Sequence, residues 1–259
     1  AGTIAFLNTL NGGFDLALTA GTGNIDFDFL VGGVAPLGAV TVNSATDVTA
    51  DGAFNAASFR QVAGSGTTTF TGALSTTAAA GVNVDGTNFN FNDAVTVALG
   101  DLDVDATGTV RFNGLVTTQE AAANGLVTVS NVGLLTITGT GDMNLAGAFL
   151  QDGAGLVSTA GDITTTNDNI TFTSATTLTG NVALNTGSGL GTIAFRKSLD
   201  GLFDLALTAG TGNIDFDGSV GVGAPLGAVT VNSATDVTAA LVFNAASFRQ
   251  LAGSGTTTF

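Results

Sequence analysis

The sequence contains no His, Cys, Trp or Tyr, and all of its 18 aromatic residues are Phe. Without His or Cys it has no imidazole base, no thiolate nucleophile and no disulfide, so a metal site would have to use oxygen ligands. No stretch reaches the ~18 consecutive apolar residues of a membrane-spanning helix. The N-terminal AGTIAFLNTLNGG also lacks the basic start of a signal peptide. We therefore expect no membrane insertion, and the export route is not evident.

Charge is scarce and has mostly one sign. Of 259 residues, 20 are acidic and 5 are basic, which gives a net charge of −15 with only 10% charged residues, against roughly 25% in an ordinary domain. A surplus of negative charge repels phosphate backbones, so nucleic acid is excluded as a partner.

The chain contains a long internal repeat. Residues 2–70 align with residues 191–259 at an offset of 189 without insertion or deletion, and 56 of the 69 aligned positions are identical. This identity indicates a tandem duplication in which residues 1–189 form one long unit and residues 190–259 begin the next. We expect the chain to be part of a longer array.

A shorter period lies within the long unit. Segments that end in Phe occur at Phe6, Phe27, Phe70, Phe91 and Phe112, at separations close to multiples of 21, and 189 is nine times 21. Apolar residues alternate within these segments as in a strand, and Gly- and Asn-rich stretches such as GTGN supply turns. The pattern predicts an all-β fold: a right-handed parallel β-solenoid over residues 1–259, with rungs of about 21 residues and about nine rungs per long unit. A β-sandwich or meander is the alternative, but it gives no reason for so regular a period.

Acidic residues alternate in several strands and could bind calcium. Asp101, Asp103 and Asp105 in GDLDVDATG are predicted to project from one strand face, about 7 Å apart from one to the next. Similar pairs occur in both copies of the repeat, namely Asp26 with Asp28 and Asp215 with Asp217. Calcium prefers such oxygen ligands, although the alternative that these residues form a solvated face is favoured because no known calcium motif matches.

Paired carboxylates could also hydrolyse glycosides. The chain has only five cationic residues to orient a sugar, however, and the repeat would duplicate an active site. We therefore expect a protein that is not an enzyme. Arg60 and its copy Arg249 are expected to pair with nearby Asp side chains.

Two further residue types are interpreted as structural. Thr is abundant and could form the flat surface of an ice-binding protein, but it is interleaved with Asn, Asp and Ala. We therefore expect it not to recur at one fixed position of the rung, and to act in strand packing instead. The recurring Phe rings are predicted to stack along the axis as a core ladder.

The segments TAGTGNIDF, PLGAVTV, GTNFNFND and GDITTTNDNITF resemble the repeats of very large bacterial β-strand-repeat surface proteins, similar to filamentous-haemagglutinin-type adhesins. The resemblance covers essentially the whole chain. It implies a secreted protein that is attached to the cell surface or forms filaments.

These observations lead us to expect a structural role, as a segment of a giant extracellular surface fibre or adhesin. Self-association end to end through further repeats is expected, and lateral packing of rods with calcium as a bridging ion is a further hypothesis. The alternative is an adhesin module that binds carbohydrate or a cell surface. Such a module needs an exposed, non-repeating patch, for which residues 119–151 are the candidate.

Overall fold

A computed structural model describes residues 2–119 and 125–259, and all regular elements in these ranges are short strands. The strands are, in chain order, β1 (Ile4–Phe6), β2 (Leu16–Thr19), β3 (Ile25–Phe27), β4 (Leu37–Ser44), β5 (Val48–Ala50), β6 (Phe54–Gln61), β7 (Thr67–Phe70), β8 (Leu74–Thr76), β9 (Val82–Gly86), β10 (Asn88–Phe91), β11 (Val95–Val97), β12 (Leu102–Ala106), β13 (Val110–Phe112), β14 (Val116–Thr118), β15 (Val127–Asn131), β16 (Leu135–Ile137), β17 (Met143–Asn144), β18 (Phe149–Gln151), β19 (Val157–Thr159), β20 (Ile163–Thr164), β21 (Ile170–Phe172), β22 (Thr176–Leu178), β23 (Val182–Asn185), β24 (Ile193–Phe195), β25 (Leu199–Asp200), β26 (Leu205–Thr208), β27 (Ile214–Phe216), β28 (Leu226–Ser233), β29 (Val237–Ala239), β30 (Ala245–Gln250) and β31 (Thr257–Thr258).

Every strand pair is parallel, and strands from successive rungs stack into three faces of a β-solenoid of about 12 turns. Face A contains β1, β3, β5, β7, β10, β13, β16, β19, β22 and β25. Face B contains the Phe54 end of β6 followed by β8, β11, β14, β17, β20, β23, β26, β28 and β30. Face C contains β2, β4, the Phe59 end of β6, and then β9, β12, β15, β18, β21, β24, β27, β29 and β31. The predicted all-β parallel solenoid is thus confirmed, and its right-handed winding stays a prediction.

Strict alternation of side chains builds the core. In β3, for example, Ile25 and Phe27 are buried while Asp26 between them points outward, and most other strands repeat this pattern. Because the pairing is in register, each inward residue lies directly above its counterpart in the previous rung, so that the three faces enclose one continuous apolar interior.

The rungs vary in length, and this rotates the repeat about the axis. On face A, in-register partners lead in nine steps from Ile4 to Leu199, so that the average rung is slightly longer than the expected ~21 residues. Ile193, the copy of Ile4, instead lies on face C above Ile170. One long unit therefore makes about eight and two-thirds rungs, close to the expected nine, and its second copy is turned by one face of the three, about a third of a full turn.

Phe rings form two stacked ladders in the core, as predicted, but on different faces. On face A, Phe70, Phe91 and Phe112 stack with centroid separations of 5.8 and 5.0 Å and nearly parallel planes. The other ladder runs along face C through Phe172, Phe195 and Phe216. Phe195 and Phe216 are the copies of Phe6 and Phe27, which stack on face A. Their change of face follows from the rotation of the second copy.

Asp and Asn side chains connect successive rungs at the corners. Asn24 Oδ1 accepts a hydrogen bond from the backbone N–H of Asp47 at 3.3 Å, and Asp47 Oδ1 accepts one from Thr67 N–H at 2.8 Å, one rung further on. The same chain of acceptors recurs in the second copy at Asn213 and Asp236. Many acidic residues of this chain thus bind backbone N–H groups where strand pairing is interrupted.

Candidate functional site

The densest group of charged side chains lies on the outer surface of face C. Asp105 of β12 is in register with Asp85 of β9, one rung below, and Asp103 is in register with Asn83. The Asn83 amide donates a hydrogen bond to Asp103 Oδ2 at 3.0 Å. Arg60 occupies the same column in the rung before, opposite Asn83. Three successive rungs therefore bring one cation, one amide and three carboxylates together.

The surroundings raise the pKa of two carboxyls of this cluster, those of Asp85 and Asp103. Partial burial is the main cause that raises the pKa of Asp85, the neighbouring Asp105 raises it further, and the Arg60 charge opposes both. The pKa of Asp103 is also raised, first by burial and then by Asp105. The cluster can therefore accept a proton or a cation that relieves repulsion between the carboxylates.

A shallow groove of about 420 Å³ follows the corner between faces C and A and passes beside this cluster. Asp85 and Asp105 line it together with small residues such as Gly64 and Gly153, and Val132 forms an exposed apolar part. Asn131, fully buried at the groove floor, already accepts a hydrogen bond from Gln151 and donates to the Gly133 carbonyl. The floor is thus satisfied by the protein itself.

The three predicted calcium ligands at the start of β12 and within it do not form a metal site among the described residues. Asp103 and Asp105 point outward from the strand, as expected. Asp101 lies just before the strand and accepts a hydrogen bond from Leu126 N–H at 2.9 Å. Within the described residues no group of three acidic side chains is arranged as a metal site. Calcium at Asp101, Asp103 and Asp105 remains a prediction.

The two acidic pairs of the repeat have different surroundings. Burial and the neighbouring Asp28 raise the pKa of Asp26 on face A. Its copy Asp215 lies on face C, where burial again raises the pKa and the Arg196 charge opposes the increase. Arg196 forms an ion pair with Asp217 at 2.7 Å.

Arg196 stands where the first copy has Leu7, so the second copy carries its own counterion. In the described part of the chain this is the one ion pair. The pairs expected at Arg60 and Arg249 are therefore not formed.

Sequence reasoning missed two features. The first is the contact between Asp85 and Asp105 in neighbouring rungs. The two residues are separated in sequence by about one rung length, and this spacing could have indicated their contact. The second is a column of hydroxyl and amide side chains on the outer surface of face B, in register through eight rungs: Asn55, Ser75, Thr96, Thr117, Asn144, Thr164, Asn185 and Thr208. Thr holds four of these eight positions and is interleaved with Asn and Ser, so that the column is not a regular Thr surface. Irregular corner lengths hide the column in the sequence.

Comparison with protein-family models, curated proteins and solved structures gave no match. Among the described residues there is no helix long and apolar enough to cross a membrane.

Proposed function

We propose that this chain is a structural segment of an extracellular surface fibre or adhesin, and that its activity is mechanical. The observation that supports this most strongly is the continuous stacking of parallel rungs through both copies of the sequence repeat. A solenoid of this kind lengthens by about 4.8 Å for each rung at constant cross-section. Each long unit would then add about 42 Å of rod.

The rod would extend through further repeats stacked end to end. Parallel strands leave unpaired N–H and C=O groups at the outermost rungs, and a following rung of the same register satisfies them. Lateral contacts between rods would require the net charge of −15 to be screened or bridged. The Asp clusters on face C are the candidate positions for a bridging calcium ion.

An adhesin module that binds carbohydrate or a cell surface is the second candidate, and the groove beside Asp85 and Asp105 favours it. The groove lies partly within the non-repeating region 119–151, of which residues 120–124 are outside the described residues. Its small neutral side chains and two carboxylates would suit a hydroxyl-rich or cationic ligand.

Antibodies against the 259-residue chain test the main proposal. Immunogold labelling of intact, unpermeabilised source cells should decorate surface filaments, and images of those filaments should show a layer line near ~4.8 Å. Labelling that appears only after permeabilisation would contradict an extracellular fibre.

A further inference from the structure

Charged side chains occur on all three faces, and on face B they include Arg249 in the last rung, but the centre of face B is neutral. Face C carries Arg60, Asp103, Asp105, Asp215 and Asp217 on its outer surface. On face B, the central outward column from Asn55 to Thr208 contains no charged residue. A chain with a net charge of −15 thus presents one neutral column that is eight rungs long.

The surface around the neutral column is built mostly from small side chains. The residues that flank it in β6, β8 and β11 and point the same way are Ala53 and Ala57, Ala73 and Thr77, and Ala94 and Ala98. Parallel in-register strands place these side chains in straight rows. In β14 the flanking residues are the longer Leu115 and Gln119. A second flat sheet can therefore approach β6, β8 and β11 without meeting long or charged side chains.

Two carboxylates border the column in its later rungs, and both are engaged along the rod axis. Asp142 accepts a hydrogen bond from Asp162 N–H at 2.9 Å, and Asp162 accepts one from Ala183 N–H at 2.7 Å. These bonds hold both carboxylates against the corner of their own rod. The column itself stays neutral beside them.

Polar groups in the middle of the column have no partner among the described residues of the rod. Across the described residues, the side chains of Ser75, Thr96, Thr117, Asn144 and Thr164 make no hydrogen bond to other protein atoms. Hydroxyl and amide groups both donate and accept. Two such columns that face each other are consequently self-complementary.

We infer that face B is a lateral docking surface for a second copy of this chain, packed face to face about a two-fold axis. The inference rests on the proposed fibre function, and it places the lateral contact on face B instead of at calcium ions that bridge the Asp clusters of face C. Two copies would bring their neutral columns together and keep the carboxylates of face C in solvent. Association then needs screening of the net charge and no calcium bridge, because no carboxylate of face C enters the interface.

The contact area sets the expected affinity. Eight rungs span about 34 Å and the outward rows about 15 Å, so each chain would bury about 500 Å². A specific interface usually buries about 800 Å² per partner. One pair of segments should therefore associate weakly, and the contact should strengthen in proportion to the number of rungs that are paired.

Sedimentation equilibrium of the 259-residue chain tests the inference. We expect a monomer–dimer equilibrium that shifts toward dimer as NaCl is raised, and CaCl₂ at the same ionic strength should have the same effect. The double variant Thr96→Asp/Thr117→Asp places like charges on both surfaces and should weaken the dimer by about tenfold or more. Thr136→Asp/Ser158→Asp makes the same charge change on face A and should weaken it by less than about threefold.

A conservative variant separates docking from misfolding. Thr117→Asn introduces the residue type already present at Asn144 in the same column, so it should retain dimerisation. The inference is overturned if the chain stays monomeric in all salts, if only calcium drives association, or if the face A variant is equally damaging. It is also overturned if a monomeric chain is retained on an insoluble neutral polysaccharide and loses retention with the face B variant. None of these outcomes decides the surface labelling of cells, which tests the proposed function separately.

Discussion

Replacing Phe54 with Ala should open the core where the Phe ladder of face A is interrupted. The inward column of this face has Ala50 between Phe27 and Phe70. The Phe54 ring enters from face B and fills the space, in edge-to-face contact with Phe27 at 5.3 Å, Phe59 at 5.4 Å and Phe70 at 5.7 Å. This one ring therefore closes the gap in the ladder.

The magnitude follows from burial and the aromatic contacts. Phe54 is fully buried, and removing a buried Phe ring costs about 3–5 kcal/mol because apolar area is lost and a cavity remains. The internal repeat supplies a matched control, since Phe243 lies in the same FNAASFRQ sequence and contacts the copies of the same rings. Phe243 is only partly buried, so Phe243→Ala should cost about 1 kcal/mol.

Native-state hydrogen exchange suits this comparison, because stacked repeats open locally and need not unfold in one step. Amides in β5, β7 and β8 should lose about 3–5 kcal/mol of protection in Phe54→Ala. Those near Phe243 should change much less in Phe243→Ala. Equal losses in the two variants, or no loss at β7, would refute the proposed role of Phe54 in the core.

Three other predictions concern the corners and the acidic surface. A Cβ at Gly155 would overlap the backbone of the neighbouring rung, whereas a Cβ at Gly139 would make only ordinary contacts. Gly155→Ala should therefore lower the melting temperature by several degrees, and Gly139→Ala should change it little. Equal shifts in the two variants would contradict close packing of the rungs. Asp47→Ala leaves Thr67 N–H without its acceptor and should cost about 1–2 kcal/mol in urea unfolding, while Asp47→Asn, which keeps an acceptor, should cost less; the reverse order would contradict this. The pKa of Asp103 is raised in the folded state, so its ionised form opposes folding above that pKa. The free energy of unfolding should therefore rise as the pH is lowered from 7 toward 4. If Asp103→Asn does not reduce this dependence of stability on pH, the assigned cause is wrong.

The strand pattern and the stacking were predictable from the sequence because both depend on local alternation. Ile25 and Phe27 flank an outward Asp26, and this two-residue period indicates a strand whatever the neighbouring strands are. The Phe spacing near 21 then predicts that strands stack rung on rung. These two signals are sufficient for the fold class.

The rotation of the second copy by one face was not predictable from the sequence. The step from Val110 to Leu135 is longer than the average rung and the step from Val157 to Thr176 is shorter, because corners lengthen and shorten without affecting strand pairing. A period read from sequence averages over these steps. It therefore concealed that the copy of Ile4 lies on another face.

The surface features depend on the same registers. Asp85 and Asp105 lie together only because β9 and β12 are paired in register, and the neutral column of face B emerges only when rungs of variable length are aligned. By contrast, the position of Asp103 and Asp105 on one side of a strand follows from alternation alone. The sequence thus predicts which side chains point outward more readily than which of them meet.

Disulfide formation between introduced cysteines tests the central claim, the register that carries the solenoid into the second copy. The chain has no cysteine of its own, and Thr177 on face A is in register with Asp200 in the next rung. In-register parallel strands place the two Cα atoms about 4.8 Å apart, within the range of a disulfide. The account predicts rapid oxidation of Thr177→Cys/Asp200→Cys and none of Thr177→Cys/Ala194→Cys, the pair that would meet if Ala194, the copy of Ala5, returned to face A. Oxidation of the second pair instead of the first would contradict the one-face rotation of the repeat.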